Sequence, residues 1–563
     1  MRLLACLALS TFAAGCGALA GEESKGGVGV DPPGGPNVST SLTPSCTRER
    51  TAPLVMIEDV ASSSATVGPC GDVLFEKTDG SVWLRTASGD GTPVQLAGPA
   101  KLNAPGGFDS TGTYVSFARE GAGTVVRKLD SGEEILFPES AHFGFDPQTR
   151  TPIVYTCTKG VRVLHGGVLG PVIAGTESLG CASDAPFGKT VLVHSDTWTN
   201  AVAVDLVAEK ARRLEIDYRG SDSGIGRTHR RDGLVLSRDG NVALYQATTW
   251  EPCGDTECPK SDGYDIILTA TGKVTQHVGP GYVSLDGAFD FDAARANALV
   301  ERSGAGSIDT LTGTLIERKD ASRIGLQRDG TLILQRSDRS GSRITTARAG
   351  ETAEKEWLSS PAYDTSVVTW PTGKRAILLE RTGVVKTADG QSNWGGSGYG
   401  DLIVRDESGA EIARHASFTS AAAVAFPADG AVILVATRFA TPPPASAVST
   451  DDLDIVSLLV RVAPDGSLSV VADTSGSLYD MIELDARSIG AFRSQYDASI
   501  SKRTSSYDIY DLTRSRLRNT ISGNDLRLVR STWPVSPGVV ALEDVSAGDF
   551  GAPAKLWHGV ADR

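Results

Sequence analysis

The sequence predicts an all-β protein made of repeated pairs of β-hairpins. From about residue 50 to residue 563, turns of the form Asp-Gly, Thr-Gly or Ser-Gly recur between short runs rich in Val, Ile, Leu, Phe and Tyr, which is the pattern of antiparallel hairpins. No apolar stripe of useful length repeats with the period of a helix. The chain has 63 glycines and 27 prolines, a level that suits many short strands joined by tight turns.

Two kinds of turn alternate along this part of the chain. The first kind precedes the strand-like segments TYVSFA, NVALYQ, TLILQ, KRAILL and AVILVA. The second kind lies within VVRKLDSGEEILF, DIILTATGKVTQHV, SIDTLTGTLIER, DLIVRDESGAEIARH, LLVRVAPDGSLSVVA and YDIYDLTRSRLRN. Two hairpins per unit make four antiparallel strands, which is the composition of one β-propeller blade.

These alternating turns resemble the TolB-type, WD40-like β-propeller repeat. Its blades carry an S-P-D-G turn before one strand and a D-L-x-T-G turn after another, and this chain has SRDG at 237–240, PADG at 427–430 and DTLTG at 309–313. The resemblance covers residues 50–563 and implies a β-propeller. A β-sandwich and a solenoid β-helix are the alternatives, but a sandwich does not need so many near-equivalent units and a β-helix repeats at a shorter period.

The number of blades is not fixed by these turns. Units begin near residues 72, 110, 144, 187, 235, 289, 327, 371, 424, 484 and 536. One propeller typically has about four to eight blades. Either some of these units are half-blades, or the ring is unusually large, or two propellers lie in tandem, and we expect about seven to eleven blades. The run TAPLVMIE at 51–58 is predicted to add the fourth strand to the last unit, beside KLWHG, which favours one closed body.

The N-terminus has the pattern of a bacterial export signal. Arg2 precedes the apolar run LLACLALSTFAA, as in secretory signal peptides, and this run is too short to span a bilayer. The segment AAGC, ending at Cys16, resembles the lipobox of bacterial lipoproteins, although Ala13 stands where Leu is commonest. The resemblance implies that residues 1–15 are a signal peptide and that Cys16 carries the lipid. Ordinary cleavage after Ala18 or Ala20 is the alternative.

Residues 16–49 are expected to form the lipidated cysteine and a flexible tether. This stretch is rich in Gly, Pro and Ser and has few large apolar residues, so it buries too little surface to order itself. Gly17 lacks the acidic side chain that resembles the inner-membrane retention signal. An outer-membrane lipoprotein, on the periplasmic or the cell-surface side, is therefore expected, with the lipid as the only contact with the membrane.

Six cysteines remain beyond Cys6 and Cys16, and an even number in an exported protein indicates disulfides. Fifteen connectivities are open, and pairing sequence neighbours gives Cys46–Cys70, Cys157–Cys181 and Cys253–Cys258. A zinc site is not favoured, because only the last pair is closely spaced and no histidine lies beside it.

Long insertions are predicted between the second and third strands of the later units. They span 248–263, 382–400, 439–452, 495–506 and 545–554, whereas the early units keep this connection short. Because loops on a rigid scaffold carry function, we expect a binding surface on this face; drift of cheaply lengthened loops is the alternative. The aromatic residues that would anchor a partner there are Trp250, Trp394, Tyr399, Tyr496 and Phe550. Packing against the strands of their own loops is the other interpretation.

An aspartate recurs where the third strand begins after four of these insertions: Asp265, Asp401, Asp454 and Asp508. Carboxylates at equivalent places in successive blades would lie near one rim, where a hard cation such as calcium binds. The interpretation favoured by the sequence is local, with each Asp accepting bonds at the end of its own loop.

No standard catalytic motif is present. The chain lacks G-x-S-x-G and H-E-x-x-H motifs, and its seven histidines are scattered singly, as expected for structural or surface residues. The net charge is −14 and no cluster of Lys and Arg occurs, so nucleic acid is not an expected partner, and no organic cofactor is expected.

The sequence therefore favours a non-enzymatic binding or scaffolding module of the cell envelope, with an envelope protein, a peptide or a polysaccharide as partner. The alternative is an envelope hydrolase or lyase with acidic residues in the propeller channel, because propellers support both kinds of function.

Overall fold

The strands form successive units along the chain, in the same order as the hairpin turns that the sequence predicts. A computed structural model describes residues 49–560 of the chain, apart from segments 100–106, 120–122, 138, 185–187, 196–199, 217–228, 238, 254–255, 280–289, 293–296, 302–303, 310, 328–330, 339, 349–350, 363–364, 371–374, 385–397, 428, 442–454, 475–476, 486–487, 498–501, 513, 515, 524, 530–537 and 546–552. The predicted signal peptide (1–15), Cys16 and the predicted tether, except its last residue, thus lie outside the described residues. Strand β1 (Val55–Ala61) comes first and belongs to the last sheet.

The first units are built from short strands with tight turns. Their members are, in unit 1, β2 (Thr66–Val67), β3 (Val73–Glu76), β4 (Ser81–Arg85) and β5 (Val94–Pro99); in unit 2, β6 (Gly107–Phe108), β7 (Tyr114–Arg119), β8 (Gly123–Lys128) and β9 (Glu134–Phe137); in unit 3, β10 (His142–Asp146), β11 (Thr151–Thr156), β12 (Arg162–His165) and β13 (Val168–Leu169); in unit 4, β14 (Gly180–Asp184), β15 (Thr190–His194), β16 (Ala201–Asp205) and β17 (Lys210–Arg213).

Among the middle units, units 5 and 7 contain longer strands than the first four units. Their members are, in unit 5, β18 (His229–Leu236), β19 (Val242–Cys253), β20 (Thr256–Leu268) and β21 (Lys273–Val278); in unit 6, β22 (Asp290–Asp292), β23 (Asn297–Glu301), β24 (Gly304–Asp309) and β25 (Thr314–Lys319); in unit 7, β26 (Ser322–Leu326), β27 (Thr331–Asp338), β28 (Gly341–Arg348) and β29 (Glu354–Ser360).

The last strands form units 8 to 11. They are β30 (Thr365–Thr369), β31 (Ala376–Val384), β32 (Gly398–Arg405), β33 (Glu411–Ala425), β34 (Val432–Phe439), β35 (Ile455–Val462), β36 (Leu468–Thr474), β37 (Ser477–Asp485), β38 (Ser488–Asp497), β39 (Lys502–Asp511), β40 (Arg516–Gly523), β41 (Leu526–Leu528), β42 (Val539–Asp544) and β43 (Pro553–Val560). Units 8 and 9 share β33, unit 10 is β37–β40, and unit 11 is β41–β43 completed by β1.

The shared strand β33 fuses two units into one seven-stranded sheet. Its first half pairs with β32 and its second half with β34, and Phe418 pairs with both. The change occurs beside Ser417, which adopts a φ of 70°. The segment EIARHASFTSAAAVA contains no Gly or Pro, so no residue in it favours a chain break between the two units.

The predicted fold class is confirmed: the described residues form an all-β protein of repeated four-stranded antiparallel sheets, a β-propeller. Nine sheets have four strands, and the seven-stranded sheet supplies two further units. The described residues thus make eleven units, at the upper end of the expected range, and each predicted unit start falls in or beside the first hairpin of one of them. Among the described residues no helix has the length and apolar character needed to cross a bilayer.

Neighbouring units pack face to face through apolar side chains. Leu84 of unit 1 belongs to one cluster with Phe108 and Phe117 of unit 2, and similar clusters join most later pairs. Each such buried side chain contributes about 1.5–3 kcal/mol. Unit 6 contacts unit 7 through β24 and β26.

The last unit packs on the first in the same way. Strand β1 pairs antiparallel with β43, as predicted for the run at 51–58. Ile57 of β1 and Leu556 of β43 share an apolar cluster with Val73 and Phe75 of unit 1. The contacts between successive units therefore run from unit 1 to unit 11 and back to unit 1.

Candidate binding face

The sheet topology divides the connections between strands into two groups. In an antiparallel sheet whose strands follow chain order, the connection from second to third strand leaves on one edge, and those from first to second and third to fourth leave on the other. We call the first edge the hairpin face. In units 1, 2, 3, 4, 6 and 7 the connection on this face has six residues or fewer.

The five predicted insertions all lie on the hairpin face. They correspond to the connections β19–β20, β31–β32, β34–β35, β38–β39 and β42–β43, each between a second and a third strand. Their common position is therefore confirmed. Segments 385–397, 442–454, 498–501 and 546–552 lie outside the described residues.

Two insertions are not loops, and here the prediction was wrong. The interval 248–263 is a continuation of β19 and β20, which pair from Thr248↔Ser261 to Cys253↔Thr256. Likewise β38 and β39 continue their pairing to Asp497↔Lys502. Segments such as TTWEP contain β-branched and aromatic residues that favour extended strands, so the added residues lengthen the hairpin rather than its turn.

Among the candidate aromatic residues, Tyr399 is the one whose side chain the structure describes. It is half-buried and packs edge-on against Phe439, with ring centroids 5.5 Å apart. Since Phe439 is buried at the end of β34, Tyr399 bridges units 8 and 9, which agrees with the packing alternative for this residue.

The other four aromatic candidates are not brought together by any described contact. Trp250 pairs through its backbone with Pro259, and Tyr496 pairs with Arg503, but their side chains are outside the described set. Trp394 and Phe550 lie outside the described residues. Their role in binding stays a prediction.

The described aspartates of this set contact basic side chains of their own sheets. Asp265 lies 2.7 Å from Nδ1 of His277 on the neighbouring strand. Asp401 accepts from Arg414 at 2.7 Å, and the hydrogen bonds from Arg414 to Glu411 and to Asp401 raise the pKa of the guanidinium.

Asp508 is the most deeply held of these carboxylates. It is buried, pairs with Arg493 at 2.7 Å, and accepts from Thr520 Oγ1 at 2.8 Å. The described aspartates thus have side-chain partners, an arginine for Asp401 and Asp508 and His277 for Asp265, rather than only the backbone donors that the sequence suggested. This favours a local role over calcium binding; Asp454 lies outside the described residues.

A disulfide on the hairpin face joins units 3 and 4. Cys157 follows the second strand β11, and Cys181 lies in the first strand β14; they are linked, with Cα atoms 5.6 Å apart, as predicted. The His142 ring nitrogen lies within 4.8 Å of both sulfurs, but the sulfurs are bonded to each other and are not free thiolates for a metal. His142 stacks on Tyr155 instead.

The remaining cysteine predictions are only partly described. Cys70 is disulfide-bonded, and its predicted partner Cys46 lies outside the described residues. Cys253 pairs through its backbone with Thr256, and Cys258 with Glu251, so the two cysteines occupy diagonal positions of one hairpin. Their disulfide stays a prediction.

Sequence reasoning missed a buried polar cluster that joins unit 11 to unit 1. Arg85 Nη1 donates to the carbonyl oxygen of His558 at 2.6 Å, and its Nη2 donates to the carbonyl oxygen of Pro53 at 2.7 Å. The imidazole of the fully buried His558 lies 2.6 Å from Arg85 Nη1 and 2.6 Å from the carbonyl oxygen of Gly71. A cation in the apolar run SVWLR and a histidine in KLWHG are the sequence signals for such a cluster.

None of the described contacts brings two acidic side chains together, as hydrolysis would require. Asp146, on the first strand of unit 3, accepts from the backbone N–H of Gln148 and from Thr149 Oγ1 and so holds its own turn. Asp290 and Asp292 lie on the first strand of unit 6, but their side chains are outside the described set.

No model of a known protein family matches the sequence, and no curated protein matches it. The chain is similar in structure to Porphyromonas gingivalis dipeptidyl peptidase 4, with a TM-score of 0.38 and 10% identity over 82% of this chain and 60% of that one. The tricorn protease gives 0.27 and 12% over 86% and 60%. The β-propeller domain of Myceliophteria thermophila Cps50 (Swd1) gives 0.23 and 12% over 66% and 92%.

This chain thus spans 60% of the length of the dipeptidyl peptidase and 60% of the length of the tricorn protease. At these identities the likeness concerns the fold alone. The repeated four-stranded antiparallel sheets of the chain itself are those of a β-propeller.

Proposed function

We propose that this protein is a non-enzymatic binding or scaffolding module of the bacterial cell envelope, tethered by a lipid on Cys16. The observation that carries the proposal is the concentration of lengthened hairpins at one position of the unit. Units 5, 8, 9, 10 and 11 have them, all on the hairpin face. Four of these units are consecutive, so their hairpins line one continuous sector, as a docking surface for an envelope protein, a peptide or a polysaccharide requires.

The surrounding packing supports this division of roles. Buried apolar clusters between units hold the propeller together, whereas segments 385–397 and 442–454 connect a second strand to a third strand in the sequence. Stability in a repeat architecture comes from the units and their interfaces. We therefore expect these connections to vary without a large cost in stability.

Shortening the hairpin tips tests the proposal. Replacing 385–397 and 442–452 with Gly-containing turns is expected to leave the thermal unfolding midpoint nearly unchanged and to abolish capture of the partner by cross-linking in the native envelope. The matched control alters the turn Pro147–Arg150 on the opposite face and should capture as the parent does. Capture that persists after both replacements would contradict the proposal.

The lipid anchor has its own test. Cys16→Ser is expected to release the protein from membranes, because the segment AAGC at 13–16 would no longer offer a thiol for lipidation. Fractionation and labelling with a fatty acid measure this. A parent protein that takes up no label, together with a variant that still sediments with membranes, would refute the anchor.

A further inference from the structure

The eleventh unit depends on a strand that is remote in sequence. Strands β41, β42 and β43 are contiguous, but their fourth partner β1 comes from residues 55–61 and pairs with β43 from Val55↔His558 to Ala61↔Pro553. The register shifts between Ile57 and Val60, where Asp59 takes a φ of 61°. The pairing is thus interrupted in the middle of a seven-residue strand.

Few side chains hold β1 in place. Ile57, Val60 and Ala61 are buried, whereas Val55 and Met56 are exposed by 36% and 37%. Its lead-in is fixed by backbone bonds from Thr51 and Ala52 to the carbonyl oxygen of Ala87. Ile57 and Val60 pack against Val73 and Phe75 of unit 1, and the backbone N–H of Thr78 donates to the carbonyl oxygen of Asp59. The polar cluster around Arg85 and His558 adds to these contacts at the lead-in of β1.

The geometry fixes the protonation state of His558. A carbonyl oxygen only accepts, so Nε2 carries the proton and donates to Gly71. Nδ1 then has a lone pair and accepts from Arg85 Nη1. A second proton on Nδ1 would set an N–H against the guanidinium N–H and a positive charge beside a positive charge, in a fully buried position.

We propose that β1 is a latch that acid releases. Protonation of His558 detaches β1 from β43 and from unit 1, and the contact between units 11 and 1 is then interrupted. The same arginine that donates to His558 also donates to Pro53, directly before β1. Displacing Arg85 therefore breaks the imidazole contact and the contact with the lead-in of β1 together. The remaining strands of unit 11 stay joined to unit 10 through the cluster of Phe492, Tyr507 and Leu542.

The charged groups around the junction are few. Arg85 faces His558 directly, and Asp90 after β4 lies near Arg85. Asp72 is buried before β3, where it accepts from the backbone N–H of Ala87 and lies near Arg50. No described carboxylate is recorded in contact with the imidazole.

On the unit 11 side, Glu543 of β42 accepts from the backbone N–H of Ser63, directly after β1. Protonating that carboxylate would also weaken the junction, so the test must separate the histidine from the acidic residues. Substitution of His558 alone makes that separation.

Burial and, less strongly, the charge of Arg85 lower the pKa of His558 to about 3. In the released state the pKa returns to about 6.5. The closed latch is therefore fully favoured above pH 6.5, and it is lost progressively as the pH falls from 6.5 toward 3. Each pH unit below 6.5 increases the released fraction about tenfold, or about 100-fold at pH 4.5.

Hydrogen exchange of the full chain, corrected for the intrinsic effect of pH, tests the latch. Between pH 7 and pH 4.5 the amides of 55–61, and those of 553–560 that bond to β1, should open about 100-fold more, while those of β27 and β28 in unit 7 stay protected. Two variants keep one bond each: His558→Asn offers an oxygen to Arg85, and His558→Gln offers an N–H to Gly71. Either one that folds at pH 7 should lose the acid-specific opening.

The exposed pair of His165 with Glu209 provides the matched control, because His165→Gln should open with acid as the parent does. Unchanged protection of 55–61 at pH 4.5 in the parent would overturn the latch. So would acid opening of all units at once, or the same acid opening in the His558 variants.

Discussion

Replacing Arg85 with leucine is expected to lower the free energy of unfolding by about 3 kcal/mol or more, because three buried acceptors would each lose a donor. The guanidinium donates to the carbonyl oxygens of His558 and Pro53 and to the ring nitrogen Nδ1 of His558, all at 2.6–2.7 Å. Leucine leaves these acceptors buried without donors, and each such group costs about 1–3 kcal/mol. Urea unfolding followed by tryptophan fluorescence measures the loss.

The control for this variant is Arg119→Leu. Arg119 pairs with Glu134 at 2.9 Å on the surface, with side chains exposed by 37% and 28%, and such pairs contribute about 0–1 kcal/mol. Equal losses for the two variants would show that the cluster at the junction does not stabilise the closed form.

Deleting residues 50–61 is expected to have the largest effect. The deletion uncovers Leu556 and its apolar neighbours and leaves β43 as an unpaired edge. Loss of Ile57 and Val60 alone removes about 1.5–3 kcal/mol each, and an exposed edge strand promotes aggregation. The thermal midpoint should therefore fall sharply, and a synthetic peptide of residues 50–61 should restore it in trans.

Deletion of residues 17–45 is the matched control, because this stretch precedes the described propeller. Its thermal midpoint should equal that of the parent. A 50–61 deletion that is as stable as this control would contradict closure by β1.

Much of the fold was predictable because its signals are local. The aspartates of turns such as Asp239-Gly240 and Asp429-Gly430 form hydrogen bonds within the turn itself. Asp239 accepts from the N–H of Asn241, and Asp429 accepts from the N–H of Ala431. These bonds depend on two or three adjacent residues, so the sequence alone shows where hairpins form. The strand at 51–58 was predictable for another reason: the last unit has three strands and needs a fourth.

Other features were not predictable because they depend on distant residues. Arg85 and His558 are 473 residues apart, and a single histidine in an apolar run does not show what lies beside it. The continuous strand β33 also escaped prediction, since the turns before residues 376 and 431 indicate two separate units. The segment 248–263 was interpreted as a loop because it lengthens the connection, yet its residues continue the ladder, and Pro252 and Pro259 pair there with Glu257 and Trp250.

The position of the long connections on the hairpin face was predictable, but the side-chain contacts near them were not. Insertion lengths gave the common site in units 5 and 8–11, whereas the ion pairs of Asp401 with Arg414 and of Asp508 with Arg493 connect residues on neighbouring strands. Such pairs depend on register, and a shift of one residue would place each aspartate on the other side of the sheet.

Electron cryo-microscopy of the full chain, viewed along the propeller axis, tests the central claim most directly. We expect one closed ring of eleven four-stranded blades, with β1 beside β43 at the junction of units 11 and 1 and with the hairpins of units 5 and 8–11 projecting from a single face. Two separate rings, or long hairpins distributed over both faces, would contradict it.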